Sequence, residues 1–169
     1  MNLRTYLHIA LLTACSLVLF LLEGLIPFPF LAPGAKLGLA NIVTVYALYQ
    51  LPNLQSVLLL ILLRTGLAAC YGGGPTVFVY SLAGGLTSLA LMALLQKTAR
   101  FSILGISAAG GFAHHLGQLA IAALLAERLS FFHYLPILGP CGLITGLLIG
   151  LAAHKIQRLT HRPPLSITK

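Results

Sequence analysis

The sequence almost completely lacks acidic side chains. It contains no aspartate and only two glutamates, Glu23 and Glu127, in 169 residues. This scarcity excludes reactions that need paired carboxylates, or an acidic cluster that holds magnesium against a substrate. A P-loop and a Ser/His/Asp set are missing from the sequence as well. We therefore predict that the protein is not an enzyme and uses no cofactor or metal.

Charge of either sign is scarce, because charged residues make up 7% of the chain and hydrophobic residues 59%, with a mean hydropathy of +0.99. So little polar surface excludes a soluble domain. The net charge of +8 comes mostly from predicted helix ends and the tail. The sequence has no basic face interleaved with aromatic residues, which is the pattern that would indicate binding to nucleic acid. Composition therefore predicts an all-α integral membrane protein in contact with membrane lipid.

Hydropathy predicts a single domain of six transmembrane helices over residues 1–156, followed by a polar, basic tail over residues 157–169. The predicted spans are 6–25, 37–51, 54–70, 76–95, 103–125 and 134–153. The first span is too long for a signal peptide and has no persuasive cleavage site, so we expect a retained helix. The second is shorter than the roughly 20 residues that a bilayer core requires. It must therefore be irregular or packed against neighbouring helices.

Lysine and arginine are distributed unequally between the two sides that these spans define. One side receives Arg4, Lys97, Arg100, Lys155, Arg158, Arg162 and Lys169, and the other keeps only Lys36 and Arg128. Cytoplasmic loops carry the excess of basic residues in membrane proteins. We therefore predict that the N- and C-termini are both cytoplasmic.

Polar residues within the apolar stretches are the strongest functional signal. An ionisable group at membrane depth is costly unless it faces a polar cavity or a partner. In the predicted orientation these residues share the outer half of the bundle, which indicates a substrate cavity open to the outside. The candidate substrate-binding residues are Lys36, Asn41, Arg64, Tyr71, Tyr80, His114, His115 and Gln118.

Helical spacing refines this set. Tyr71 follows Arg64 by seven residues and is expected on the same face. Gly110, His114 and Gln118 share one stripe through their spacing of four, whereas the next residue, His115, points toward a neighbouring helix. Small residues at the same spacing (Ser81/Gly85, Gly84/Ser88 and Gly142/Gly146/Gly150) predict close approach of helices.

Each polar residue also has a structural alternative. Arg64 could extend its charge to the outer interface, although the absence of a nearby acid in the sequence favours an anionic ligand or carbonyl contacts. The two histidines could form hydrogen bonds between helices, or less plausibly hold a metal. Asn41 could cap or bridge helices. Glu23 and Glu127 are expected at the surface or clamping a loop, with Glu23 the better partner for Lys36.

Four segments carry a family resemblance: PGAKLGLANIVTVYALY (33–49), SLAGGLTSLALM (81–92), GGFAHHLGQL (110–119) and GLITGLLIG (142–150). They are similar to the Gx transporter family, also labelled heptaprenyl diphosphate synthase component I. Ala10 and Ala14 are predicted to form a groove of small residues on the first helix. The chain resembles the S components of energy-coupling factor (ECF) transporters in this groove, in its basic N-terminus and in its six short helices. The resemblance implies an S-component-like bundle in the bacterial cytoplasmic membrane. It also implies a coupling membrane subunit that docks near Ala10 and Ala14, and a pair of ATPases.

Three functions are consistent with these features. The leading hypothesis is capture of a small molecule from outside, and the cations Lys36 and Arg64 favour an anionic, vitamin-like or isoprenoid compound that is carboxylated or phosphorylated. The second is a membrane accessory of heptaprenyl diphosphate synthase in quinone biosynthesis. It would be non-catalytic, since prenyl chain elongation needs Asp-rich magnesium clusters. The third is a homo-oligomeric carrier that needs no other subunit.

Overall fold

The computed structural model describes residues 2–25 and 38–160, and this part of the chain is helical and contains no strand. Its α-helices are α1 (Leu3–Gly24), α2 (Asn41–Gln50), α3 (Leu54–Ala68), α4 (Gly74–Lys97), α5 (Ile103–Leu125) and α6 (Leu135–Leu159). A π-helical turn, Ala69–Gly73, joins α3 to α4, and a 3-10 helix, Leu129–Tyr134, precedes α6. Five helices, all except α2, are long and apolar enough to cross a membrane. Six α-helices are present in the described residues, as predicted, but α2 is not among those long enough to span a membrane.

Helix boundaries differ from the predicted ones mainly at the end of α6, which continues to Leu159. Hydropathy alone placed this end at residue 153, where charged residues begin. The helix continues because Ala153 and Gln157, one turn apart, remain buried on its inner face. The predicted tail began at residue 157, so its first three residues belong to α6 instead. Residues 161–169 of that tail lie outside the described residues.

The second helix is short and enclosed by its neighbours. Its 10 residues span about 15 Å, roughly half of a bilayer core. Seven of them are buried, and the helix contacts α1, α3 and α6. It ends at Gln50, and the next residue, Leu51, has an extended backbone, as expected for a residue before proline. The expectation that the second span packs against its neighbours is confirmed.

Successive helices run in opposite directions. Glu23, at the end of α1, accepts a hydrogen bond from Gly38 just before α2. The start of α5 meets the later part of α6, because a Cβ added at Gly150 would lie 3.1 Å from Leu104 Cα. Thus α1, α3 and α5 finish at one end of the bundle, which we call the site end. Basic residues of the described chain gather at the opposite end: Arg4, Lys97, Arg100, Lys155 and Arg158.

Glycines bring α5 and α6 into backbone contact. A Cβ added at Gly142 would lie 2.7 Å from Gly111 O, and one at Gly146 would lie 2.5 Å from Ser107 O. Ser107 Oγ donates a hydrogen bond of 2.7 Å to the carbonyl of Gly146. Since lipid supplies no hydrophobic force between helices, such close contact and buried hydrogen bonds hold this pair together. The close approach predicted from the glycine spacing is confirmed.

Candidate functional site

Arg64 is buried inside the bundle near the end of α3, with 3% of its surface exposed. Two of its nitrogens, Nε and Nη2, have no hydrogen-bond partner among residues 2–25 and 38–160. Its Nη2 lies against α4, 3.4 Å from the position that a Cβ would take at Gly85. The side chain therefore does not extend to an exposed interface. A buried, unsatisfied cation of this kind requires an explanation beyond packing.

His114 enters the same region from α5. Its ring lies directly on Gly84, where an added Cβ would be 2.7 Å from Cε1. The same position is 3.0 Å from Gln118 Cγ. Gly84 and Gly85 thus make room on adjacent positions of α4 for His114 and Arg64. The predicted stripe on α5 faces α4, because Gly110 also packs there, against Met92.

Asn41 joins the cluster from the first residue of α2. An added Cβ at Gly38 would lie 3.1 Å from Asn41 Nδ2 and 3.9 Å from His114 Cδ2. Gly38 has a positive φ of 82°, which glycine adopts at little cost. Asn41 Oδ1 is buried and has no partner in the described part of the chain. Asn41 does not cap the helix, since the N-cap residue of α2 is Ala40.

Glu23 clamps the start of α2 to the end of α1. Its carboxylate accepts hydrogen bonds from the backbone N–H groups of Gly38, at 2.6 Å, and Leu39, at 3.0 Å. It also interacts electrostatically with Arg64. The side chain is 3% exposed, so the loop-clamping role is confirmed and the surface position is wrong. The predicted pairing with Lys36 lies outside the described residues.

Replacing Glu23 with glutamine is expected to lower the free energy of unfolding by about 1–3 kcal/mol, the cost of leaving a buried donor unsatisfied. Glutamine keeps one acceptor oxygen, and its amide group cannot accept the second backbone N–H. Denaturation of the purified protein in detergent measures the effect. The control is Glu127→Gln, at an exposed position past the end of α5, with an expected change within about 0.5 kcal/mol. Equal losses in the two variants would contradict the clamp.

Other predicted site residues lie elsewhere. Tyr71 is 68% exposed and does not join the cluster. The π-helical turn at Ala69–Gly73 changes the number of residues per turn, so a spacing of seven no longer returns to the face of Arg64. Tyr80 is half-buried on α4, one turn before Gly84. Lys36 lies outside the described residues.

His115 is buried between α5 and α6 and not against α4. An added Cβ at Gly142 would lie 2.6 Å from its Cδ2 atom, so its neighbour is α6. The rings of His114 and His115 are 5.9 Å apart and nearly perpendicular. Among the residues described, no three histidine, cysteine or acidic side chains come together. The chemistry that this region offers is hydrogen bonding and ion pairing.

Ala10 and Ala14 lie on the outer surface of α1. Large apolar side chains of the same helix, including Leu7 and Leu11, are also exposed there. The two alanines are therefore outside the buried polar cluster and accessible to another helix or to lipid.

Three glycines of the site were not assigned to it from the sequence. Gly84 and Gly85 were interpreted as helix-packing residues, and Gly38 was quoted only within a family segment. The feature of the sequence that could have indicated their role is the adjacent pair Gly84 and Gly85. Two neighbouring glycines on a helix point about 100° apart and can accommodate side chains from two different helices. The structure places α3 and α5 in those two directions.

The family described as heptaprenyl diphosphate synthase component I matches residues 12–156 of the chain. The chain belongs to this family. Of the two labels that the resemblance predicted, heptaprenyl diphosphate synthase component I is confirmed. No curated protein and no solved structure matches the chain. Glu23, Asn41, Arg64 and His114 all lie within the part that matches the component I family.

Proposed function

We propose that this member of the component I family is the substrate-binding membrane subunit of an ECF-type transporter, similar to an S component. It captures a small anionic compound, vitamin-like or isoprenoid, from outside the cell. The observation that carries the proposal is Arg64, which is buried without a partner for two of its nitrogens in the described chain. A ligand that supplies the missing acceptors explains why such a costly group lies at membrane depth.

The orientation follows from the distribution of basic residues. Arg4, Lys97, Arg100, Lys155 and Arg158 lie at the end of the bundle opposite the site end. The positive-inside rule assigns that end to the cytoplasm of a bacterial cell, together with both termini. The polar cluster then lies in the outer half of the membrane, where it meets an extracellular compound.

The proposed role is non-catalytic. The sequence offers no aspartate and no nucleotide-binding motif. Energy for release therefore comes from partners, a coupling membrane subunit and a pair of ATPases. The exposed surface of α1 around Ala10 and Ala14 suits a partner helix, because small residues let helix backbones approach closely.

Filling the site tests ligand capture directly. The protein is extracted from its own membrane in mild detergent, and bound small molecules are measured by native mass spectrometry. Wild type is expected to retain an anion that Gly84→Val loses, because the added side chain occupies the place of His114. The control is Gly66→Val on α3, which has no neighbouring atom within 4 Å among the described residues. Retention of the same molecule by Gly84→Val would contradict the site.

Bulky residues on α1 test the coupling role. The double variant Ala10→Leu/Ala14→Leu is expected to lose ATP-dependent uptake and co-purification with ATPases, while ligand retention stays at the wild-type level. Cys15→Leu is the control, since Cys15 is exposed on another part of the same helix. Uptake that persists in the double variant would show that docking occurs elsewhere.

A second candidate function is a non-catalytic accessory of heptaprenyl diphosphate synthase in quinone biosynthesis, which the family name favours. The same co-purification experiment separates the candidates. ATPases among the partners support the transporter, and a prenyl synthase supports the accessory role. If neither is present and uptake continues, a carrier formed by copies of this chain alone is indicated.

A further inference from the structure

The two unpartnered nitrogens of Arg64 lie on the same edge of its guanidinium group. By the geometry of this group, Nη2 is the terminal nitrogen on the side opposite Cδ, so one of its N–H bonds runs parallel to Nε–H. Two parallel donors match the two oxygens of a carboxylate in a bidentate hydrogen-bonded pair. This edge of Arg64 has no acceptor within residues 2–25 and 38–160, and both nitrogens are buried. Its geometry indicates a planar group with two oxygens.

A second unsatisfied atom lies near His114. Asn41 Oδ1 is buried and accepts no hydrogen bond from the described residues. The His114 ring neighbours both groups, because it reaches Gly38 beside Asn41 and Gly84 beside Gly85, where Arg64 packs. An amide oxygen can only accept. The partner of Asn41 Oδ1 must therefore be a donor, and a bare anion does not provide one.

The charge of the described part of the cluster favours a ligand of low charge. Among the described residues of the cluster, the charged groups are Arg64 and Glu23, which interact electrostatically and have opposite signs. A monoanion adds one negative charge to this balanced pair. Each further negative charge, as on phosphate or diphosphate, is disfavoured in a buried site of low polarity.

We infer that the ligand is a small monocarboxylate that also carries a hydroxyl or amine donor. Its carboxylate is held by Arg64 Nε and Nη2, and its donor by Asn41 Oδ1. This inference rests on the proposed capture of an anionic compound and narrows it to one substrate class. Arg64 therefore binds the carboxylate end of the ligand, and Asn41 binds the end with the hydroxyl or amine group.

Matched pairs of simple carboxylates test the inference on the purified full-length protein by titration calorimetry. The pairs are acetate and glycolate, propionate and 3-hydroxypropionate, and butyrate and 4-hydroxybutyrate, with inorganic phosphate and pyrophosphate as comparators. In at least one pair the hydroxyl is expected to raise affinity about tenfold, as one buried hydrogen bond does. Asn41→Leu is expected to remove this gain, so that each hydroxy acid binds no more tightly than its plain carboxylate. Asn41→Ala replaces it if Asn41→Leu does not fold.

Arg64→Lys tests the two-donor edge, because lysine keeps the positive charge and loses the parallel pair of donors. It is expected to weaken every carboxylate about tenfold or more. Arg64→Gln replaces it if Arg64→Lys does not fold; glutamine removes the charge together with the donors, so unchanged carboxylate binding by this variant would equally overturn the inference. Unchanged binding by Arg64→Lys, no hydroxyl gain in any pair, or no carboxylate binding at all would each overturn the inference. Tighter binding of phosphate or pyrophosphate would overturn the substrate class and leave anion capture standing. The proposed capture of an anionic compound has its own test, and it would be contradicted if native mass spectrometry found no retained small molecule.

Discussion

Replacing Arg64 with methionine is expected to stabilise the ligand-free protein and to abolish retention of an anionic ligand. Arg64 is 3% exposed, and two of its guanidinium nitrogens have no partner in the described chain. Burying a charge without full compensation costs several kcal/mol, and apolar side chains of similar volume often remove this cost. We expect a gain of about 1 kcal/mol in the free energy of unfolding, the low end of the range for replacing a whole buried ion pair, because Glu23 stays buried and loses its electrostatic interaction with Arg64. Glu23 remains satisfied after the change by the N–H groups of Gly38 and Leu39.

Two measurements on Arg64→Met are needed, because only their combination identifies a ligand site. Chemical denaturation in detergent gives the stability, and native mass spectrometry gives ligand retention. Arg128→Met is the control, since Arg128 is exposed at the site end and both quantities should match wild type. A less stable Arg64→Met variant would show that Arg64 supports the fold, as in a structural hydrogen-bond network. An equally stable variant that still retains the ligand would remove Arg64 from the site.

The helices and much of the cluster could be predicted because both depend on the contrast between apolar and polar residues. Apolar segments of sufficient length specify membrane helices, and Arg64 and His114 are conspicuous within them. Spacing of four correctly placed His114 and Gln118 on one face, because α5 is regular over its whole length. Asn41 joined them because the start of α2 is held close to the end of α1.

The rest depended on contacts that a single sequence does not contain. Tyr71 was misplaced because a π-helical turn, which hydropathy does not reveal, interrupts the helical repeat after Arg64. The clamp by Glu23 joins residues 15 positions apart. A clamping role for Glu23 was one of the two roles expected from the sequence, but its burial and its backbone partners were not, since buried carboxylates are rare. Gly84 was predicted to bring two helix backbones together, but the ring of His114 occupies the space beside it. A glycine pattern does not indicate whether a backbone or a side chain fills such a space.

The site is built on two different kinds of support. On one side, α5 presents His114 from a helix held against α6 by backbone contact and a buried hydrogen bond. On the other side, Asn41 belongs to a short helix whose start is held by the carboxylate of Glu23. Loss of the first support should therefore disrupt the whole bundle, whereas loss of the second should act mainly on the approach of α2. Glu23→Gln and a substitution at the α5–α6 contact separate these two effects.

Gly146→Leu is expected to prevent the packing of α5 on α6. An added Cβ would lie 2.5 Å from Ser107 O and 2.8 Å from Ala108 Cα. These are backbone atoms, which cannot rotate away as the end of a flexible side chain can, so the helices must separate. Separation also breaks the hydrogen bond from Ser107 Oγ to Gly146 O. We expect a loss of more than about 3 kcal/mol, above the usual cost of overpacking, and protein that fails to elute as a single species on gel filtration.

Gly66→Leu on α3 is the matched control for this substitution. No atom of the described residues other than its own helix backbone and chain neighbours lies within 4 Å of a Cβ added at Gly66. The same change should therefore be neutral or stabilise by roughly 0.5–1 kcal/mol, since leucine favours the helix over glycine. If Gly146→Leu eluted and melted like Gly66→Leu, the close contact of α5 and α6 would not support the bundle. His114 would then need another element to hold it against Gly84.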